Sequence, residues 1–403
     1  MHTLRVKQEA HRLPTSYSLL LINSGLSRFG VSTFNLVIIW VILQATHNAF
    51  LGGLGDGVLS LPLFLSYAVG VIVDRSNKKK ALAALSGIAR SLSLGAVFIG
   101  IMLRSTLLLL ISLYSTAFII GFTSDVMNAV RAVWTKEFLA PELYKRGSSA
   151  ASSVYSIAEG AGYVSSGLLL ALGVTESFIF ILVFFTVAVV PILFIHPTKT
   201  GSNSGSAMSS IREGLGFILK NKPIWQAMVI SFLGNLVFGM AGIIYISLIQ
   251  LGYKLPALYV SLVFGTFILG IVGGSSLAQK VKGKVGRIAL VGYMLMGGLL
   301  ASVSSIREVY LVLVPSFLIG LIIGVINVVF TTAFLKLVPK ELMARVQGAF
   351  NTFSLAITSL SGMLDGIVIQ LVGPSDSFLL LGGVVLISSP LFAVFKELSQ
   401  IVV

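Results

Sequence analysis

The chain has 403 residues, of which 56% are hydrophobic and only 10% charged, against roughly 25% charged in a soluble globular protein, so it has too little charge to cover a water-facing surface. Its formal net charge is +14, but the basic residues gather in short stretches between long apolar runs, which points to a lipid bilayer and away from nucleic acid. The absence of cysteine excludes disulfide, zinc-thiolate and thiol chemistry.

Crossing the hydrocarbon core takes about 20 apolar residues in a helix. Met1–Pro14 is polar and basic and lacks the short apolar core and small-residue cleavage site of a signal peptide; it is expected to stay inside the cell. The first span, 17–45, carries Arg28 and Asn35. A second, 50–73, holds Asp56 near its start and Leu61-Pro62 in its middle. The third, 81–103, carries Arg90; the fourth, 107–133, carries Asp125 and Arg131; the fifth, 149–173, carries Glu159; the sixth is 176–195. A polar stretch, 196–222, follows, with the flexible run Thr200–Ala207 and then 211–219, whose helical spacing suits the membrane surface. The second half repeats the pattern at 224–250 (Gln226, Asn235), 256–279, 286–305, 308–336 (Asn327, Thr331, Thr332), 345–372 (Asp365) and 376–396. Continuous runs of this kind predict helices, since barrel strands are short and alternate in polarity.

Lysine and arginine stay on the cytoplasmic side of membrane helices. Counted over alternating loops, 22 basic residues fall on one side and only three, Arg104, Lys254 and Arg307, on the other. Both termini are therefore expected in the cytoplasm of a multi-pass plasma-membrane protein. Glu142-Leu143-Tyr144-Lys145-Arg146 returns as Glu341-Leu342-Met343-Ala344-Arg345, and Gly70-x-x-x-Asp74-Arg75-x-x-Lys78 as Gly274-x-x-x-Ala278-Gln279-x-x-Lys282. The expected fold is thus an all-α polytopic membrane protein of 12 transmembrane helices in two parallel six-helix repeats, 1–195 and 223–403, joined by a cytoplasmic linker, 196–222. Parallel repeats are a transporter architecture with the solute site near midplane.

The segment Gly70–Lys80 resembles the signature loop of the major facilitator superfamily: glycine, three residues, aspartate, a basic residue, and two further basic residues after a turn. Asn77 stands where that family usually has glycine; asparagine tolerates a left-handed backbone, so the turn is expected to persist. Leu61-Pro62, Val338-Pro339 with Arg345-Val346-x-Gly348, and Arg212-Glu213-Gly214 before Asn221-Lys222-Pro223 look like the macrolide-efflux and enterobactin-exporter branch. The resemblance implies a cytoplasmic gate of Gly70, Asp74, Arg75, Lys78 and Lys79, with Arg131 reaching Asp74. It also implies a central cavity faced by spans one, seven and ten, which makes Asn35, Gln226, Asn235, Asn327, Thr331 and Thr332 candidate solute contacts, with interhelical hydrogen bonding as the alternative.

An ionisable group inside lipid costs at least ~2.5–3.5 kcal/mol and marks a candidate functional site. At ~1.5 Å per residue, Arg28, Arg90 and Glu159 all lie near midplane. That branch often has an aspartate after the glycine of the first span, where this chain has Val31 after Gly30, so Glu159 is the carboxylate placed closest to midplane. Glu159 is read as a proton carrier with an arginine as counter-charge, the alternative being a buried ion pair that fixes packing; Asp125 and Asp365 are the next candidates for coupling. No ATP-binding loop, nucleophile with its base, or metal cluster is present in the sequence, so neither an enzyme nor a cofactor is expected. The expected function is export of a small amphipathic solute by a monomer against inward proton flow. An importer or organic-anion carrier drawn by Arg28 and Arg90 is the rival, and a transport-dead scaffold or a membrane enzyme the reading from outside transport.

Overall fold

A computed structural model describes residues 13–140, 143–196, 215–339, 346 and 360–402. In chain order the helices are α1 (Thr15–Thr46), α2 (Ala49–Ser60), α3 (Ser66–Arg75), α4 (Lys79–Met102), α5 (Thr106–Phe138), α6 (Tyr144–Leu172) and α7 (Val174–Leu193). They continue as α8 (Lys222–Ser247), α9 (Leu258–Leu277), α10 (Val285–Val303), α11 (Val309–Leu337), α12 (Leu360–Val372), α13 (Pro374–Ser388), α14 (Leu391–Val394) and α15 (Lys396–Ser399). Among the described residues, nine helices are long and apolar enough to cross a membrane. The second expected span is split: Pro62 lacks an N–H and its ring crowds the preceding turn, and Leu61–Leu65 is a 3-10 segment between α2 and α3. The flexible run Thr200–Ala207 and the Glu341–Arg345 echo lie outside the described residues, as does 211–214 of the expected surface helix, while its remainder, 215–219, is helical.

Local chemistry sets the helix ends. Ser105 and Asn221 cap α5 and α8, each side-chain oxygen accepting the backbone N–H three residues on. Gly173 (φ 147°) separates α6 from α7, and Gly373 (φ 85°) separates α12 from α13. In both places the serine four residues on, Ser177 or Ser377, donates its hydroxyl to the glycine carbonyl at 2.7 Å. The loop at Asn77 closes differently from expectation, since Asn77 is not left-handed. Ser76 makes the turn: its Oγ accepts the Lys78 N–H at 3.1 Å, and its carbonyl accepts Lys79 Nζ at 2.8 Å.

The helices form two packing units, one of residues 1–37 and 61–204, the other of residues 38–60 and 205–403. In the first, α4 lies between α5 and α7, around a core that includes Tyr17, Val73, Trp134 and Ile192. In the second, the sequence from Ile38 to Leu43 is buried on every side, as expected of a helix apolar all round. Small residues four apart dominate the contacts here. Gly270 and Gly274 of α9 face Gly320 and Gly324 of α11, and a Cβ on any of the four would land on the backbone of the opposite helix. Ala49 and Gly53 of α2 meet Gly362 and Gly366 of α12 in the same way, and Gly297 and Ala301 of α10 receive Gly382 of α13. This spacing lets helix backbones touch in lipid.

Residues 396–402 fasten the end of the second unit. Glu397 accepts a hydrogen bond from Gln226 Nε2 at 2.6 Å and lies 3.9 Å from Lys222 Nζ. The Gln226 carbonyl accepts the Leu398 N–H at 3.0 Å. Val402 pairs with Lys284 as an isolated antiparallel bridge, and its carbonyl accepts Lys336 Nζ at 2.9 Å.

The glycine contacts predict a sharp positional contrast. Gly274→Ala sets a methyl against the Leu321 backbone and is expected to destabilise the protein by about 1–3 kcal/mol or more. Gly273→Ala, where a Cβ meets nothing within 4 Å, is expected to be neutral. Thermal unfolding in detergent distinguishes them, and equal shifts would refute close backbone packing at Gly274.

Candidate functional site

In the first unit, α1 and α6 approach through small residues: a Cβ on Gly162 would stand 2.7 Å from the Phe29 carbonyl oxygen, and one on Gly25 would stand 2.9 Å from Val154 Cγ1. Thr33 Oγ1 donates to the Gly162 carbonyl at 3.2 Å. Between these contacts Arg28 Nη2 forms an ion pair with Glu159 Oε1. Both side chains remain partly open, at 37% and 33% exposure, and Arg28 Nε has no hydrogen-bond partner. On α6, Tyr155, Glu159 and Tyr163 recur every four residues and so share one face.

Arg90, 3% exposed, takes a different course. Its Nε donates to Thr123 Oγ1 at 2.8 Å, its Nη2 to Ser124 Oγ at 3.1 Å, and its guanidinium carbon lies 5.6 Å from the Phe185 ring centroid. It is satisfied by hydroxyls and an aromatic face and pairs with no carboxylate among the described residues. Arg131 reaches Asn128 Oδ1 at 2.9 Å and sits 4.7 Å over the Tyr155 ring centroid. The Asp74 side chain lies outside the described residues, and so does any contact with Arg131. Asp125 is buried on α5 with Oδ2 lacking a partner. In the expected gate loop, Gly70 has open space where a Cβ would go, Arg75 and Lys78 are exposed, and Lys79 is half-buried.

Among the described residues of the second unit, the fully buried carboxylate is Asp365 on α12. No hydrogen bond of ordinary geometry reaches either oxygen; the Ile244 amide and the Asp56 carboxylate are its polar neighbours. Gln226 is committed to Glu397 and Leu398, because an amide buried at the start of α8 needs both a donor and an acceptor, and α15 supplies them. Asn35 and Asn235 are half-buried, Asn327 and Thr331 exposed, and Thr332 Oγ1 donates to the Val328 carbonyl at 2.8 Å. Tyr155 and Glu397 were not singled out by sequence reasoning. The four-residue spacing from Glu159 could have found Tyr155; Glu397 carried no such signal.

The Arg28–Glu159 geometry makes the two charges interdependent. Arg28→Met strands Glu159 and is expected to cost about 1–3 kcal/mol, less than the ~3–5 kcal/mol of a fully buried pair, because both groups keep partial exposure. The Arg28→Met/Glu159→Met double variant should be destabilised by less than the sum of the single changes, as read by a thermal-unfolding cycle. Additive losses would show that the two charges act separately.

The family description Major Facilitator Superfamily matches residues 20–363. No curated protein matches the sequence significantly. Among solved structures, the fold is similar to a POT family transporter in complex with a thioalcohol-conjugated peptide (14% identity, TM-score 0.71, 94% of this chain and 96% of that one). It is likewise similar to the nucleoside transporter NupG (15%, 0.67, 95% and 99%). A bacterial homologue of the iron transporter ferroportin, in an inward-facing state, shares 17% identity at a TM-score of 0.71, over 96% of this chain and 99% of that one.

Proposed function

Because the chain belongs to the major facilitator superfamily, we propose that this membrane transporter is a proton-coupled secondary carrier that exports a small amphipathic solute. Twelve spans in two parallel repeats would alternate access to a central site, with both termini in the cytoplasm. The observation that carries the reading is the Arg28–Glu159 pair, a carboxylate on α6 and its counter-charge on the membrane-length helix α1, both still partly open. A pair kept only for packing gains nothing from that opening, whereas a group that must take up and release a proton needs it. Outward direction rests on the likeness of the Leu61-Pro62 and Val338-Pro339 segments to exporters. A second reading, an organic-anion carrier, draws support from Arg131, which has Tyr155 and Asn128 but no carboxylate against it among the described residues.

Glu159→Gln keeps size and hydrogen bonding but loses the titratable proton. In liposomes with an imposed pH gradient, the variant is expected to lose gradient-driven transport while retaining downhill exchange. Gradient-driven transport at the wild-type level would remove Glu159 from coupling. A panel of cationic, neutral and anionic amphiphiles in the same assay separates the two readings, since an anion carrier transports only the last.

Orientation has its own test in this cysteine-free chain. Lys254→Cys is expected to react with an impermeant maleimide from outside the cell only. Labelling solely from the cytoplasmic side would invert the topology.

A further inference from the structure

A cavity of about 660 Å³ lies in the second unit between α10 and α11. Its walls are one apolar stripe from each helix: Ile288, Val291 and Leu295 on α10, and Leu321, Ile322 and Val325 on α11. The trough exists because Gly292 has no side chain; a Cβ there would stand 2.9 Å from Ile326 Cδ1 and 3.3 Å from Ile322 Cγ2. Val291 and Leu295 remain 49% and 56% exposed, so the trough opens sideways along the helices.

One end is chemically different. The loop before α10 and the helix's first turn bring Lys282, Lys284 and Arg287 to the rim, with Gly283, at φ 150°, turning the chain between the lysines. All three cations are exposed, and among the described residues none has an ion pair or a side-chain hydrogen bond. No acidic side chain lines the cavity.

We propose that this groove holds one anionic phospholipid of the cytoplasmic leaflet, its phosphate against Lys282, Lys284 and Arg287 and an acyl chain along the two stripes. Charge and length both support this occupant. Three unpaired cations at the level of the basic loops match a negative headgroup, as basic pockets between membrane helices do. From Arg287 to Leu295 the helix rises ~12 Å, close to the ~15 Å depth of one leaflet of hydrocarbon. A soluble anion would use the cations and leave the apolar stripes idle; a neutral lipid would do the reverse. The orientation is the one proposed above, but the site does not depend on what is transported.

The test uses the full chain, stripped of lipid in neutral detergent and titrated with phosphatidylglycerol or phosphatidylcholine while native mass spectrometry counts retained lipid. Wild type should retain phosphatidylglycerol selectively. Lys282→Gln, Lys284→Gln and Arg287→Gln should each weaken it roughly five-fold, and together on the order of 100-fold, without changing phosphatidylcholine. Lys282→Arg should bind as wild type, which separates charge from folding if the triple variant is unstable. Val291→Trp, filling the trough with the cations intact, should also weaken retention. Unchanged phosphatidylglycerol retention in the charge variants would overturn the proposal, and so would competition by glycerol 3-phosphate at the same concentration as the lipid.

Discussion

Helices in lipid gain nothing from hiding apolar surface from each other, because the surrounding acyl chains are as apolar as leucine. What holds them is backbone approach, and in this chain that approach depends on glycine. Gly270, Gly274, Gly320 and Gly324 bring α9 and α11 together, and Gly53 with Gly362 does so for α2 and α12. The same constraint reaches the charged pair. Gly25 and Gly162 let α1 and α6 close on each other, and only that closeness allows Arg28 to meet Glu159.

Charged groups away from water meet three different surroundings in these helices. Arg28 is compensated by an opposite charge. Arg90 is met by two hydroxyls and an aromatic face. Asp365 has neither: it is buried with no hydrogen bond of ordinary geometry to either oxygen, beside the Ile244 amide and the Asp56 carboxylate.

Much of this was legible in the chain because membrane helices obey a one-dimensional rule. Apolar length located the nine membrane-length helices among the described residues, and a constant rise per residue brought Arg28 and Glu159 to the similar height their ion pair requires. Depth says nothing about azimuth, which is why the rise alone could not tell that Glu159 pairs with Arg28 while Arg90 turns to Thr123. The Gln226–Glu397 contact joins residues 171 apart, and no local spacing encodes such a distance. The loop at Asn77 was misread because the turn's work is done by the hydroxyl of Ser76, one residue earlier. The matched caps at Gly173 and Gly373 were readable as glycine followed four residues later by serine, and they add a third pair at the half-chain interval.

The fastening of residues 396–402 has a bearing on biosynthesis. Gln226 sits on the first turn of α8, so it enters the membrane long before Glu397 and Leu398 are translated. Until they emerge, a buried amide at the mouth of the second unit has neither its acceptor nor its donor, and the ends of α10 and α11 lack the strap that Val402 ties across them. The fastening at residues 396–402 therefore forms only after the rest of the second unit has been made.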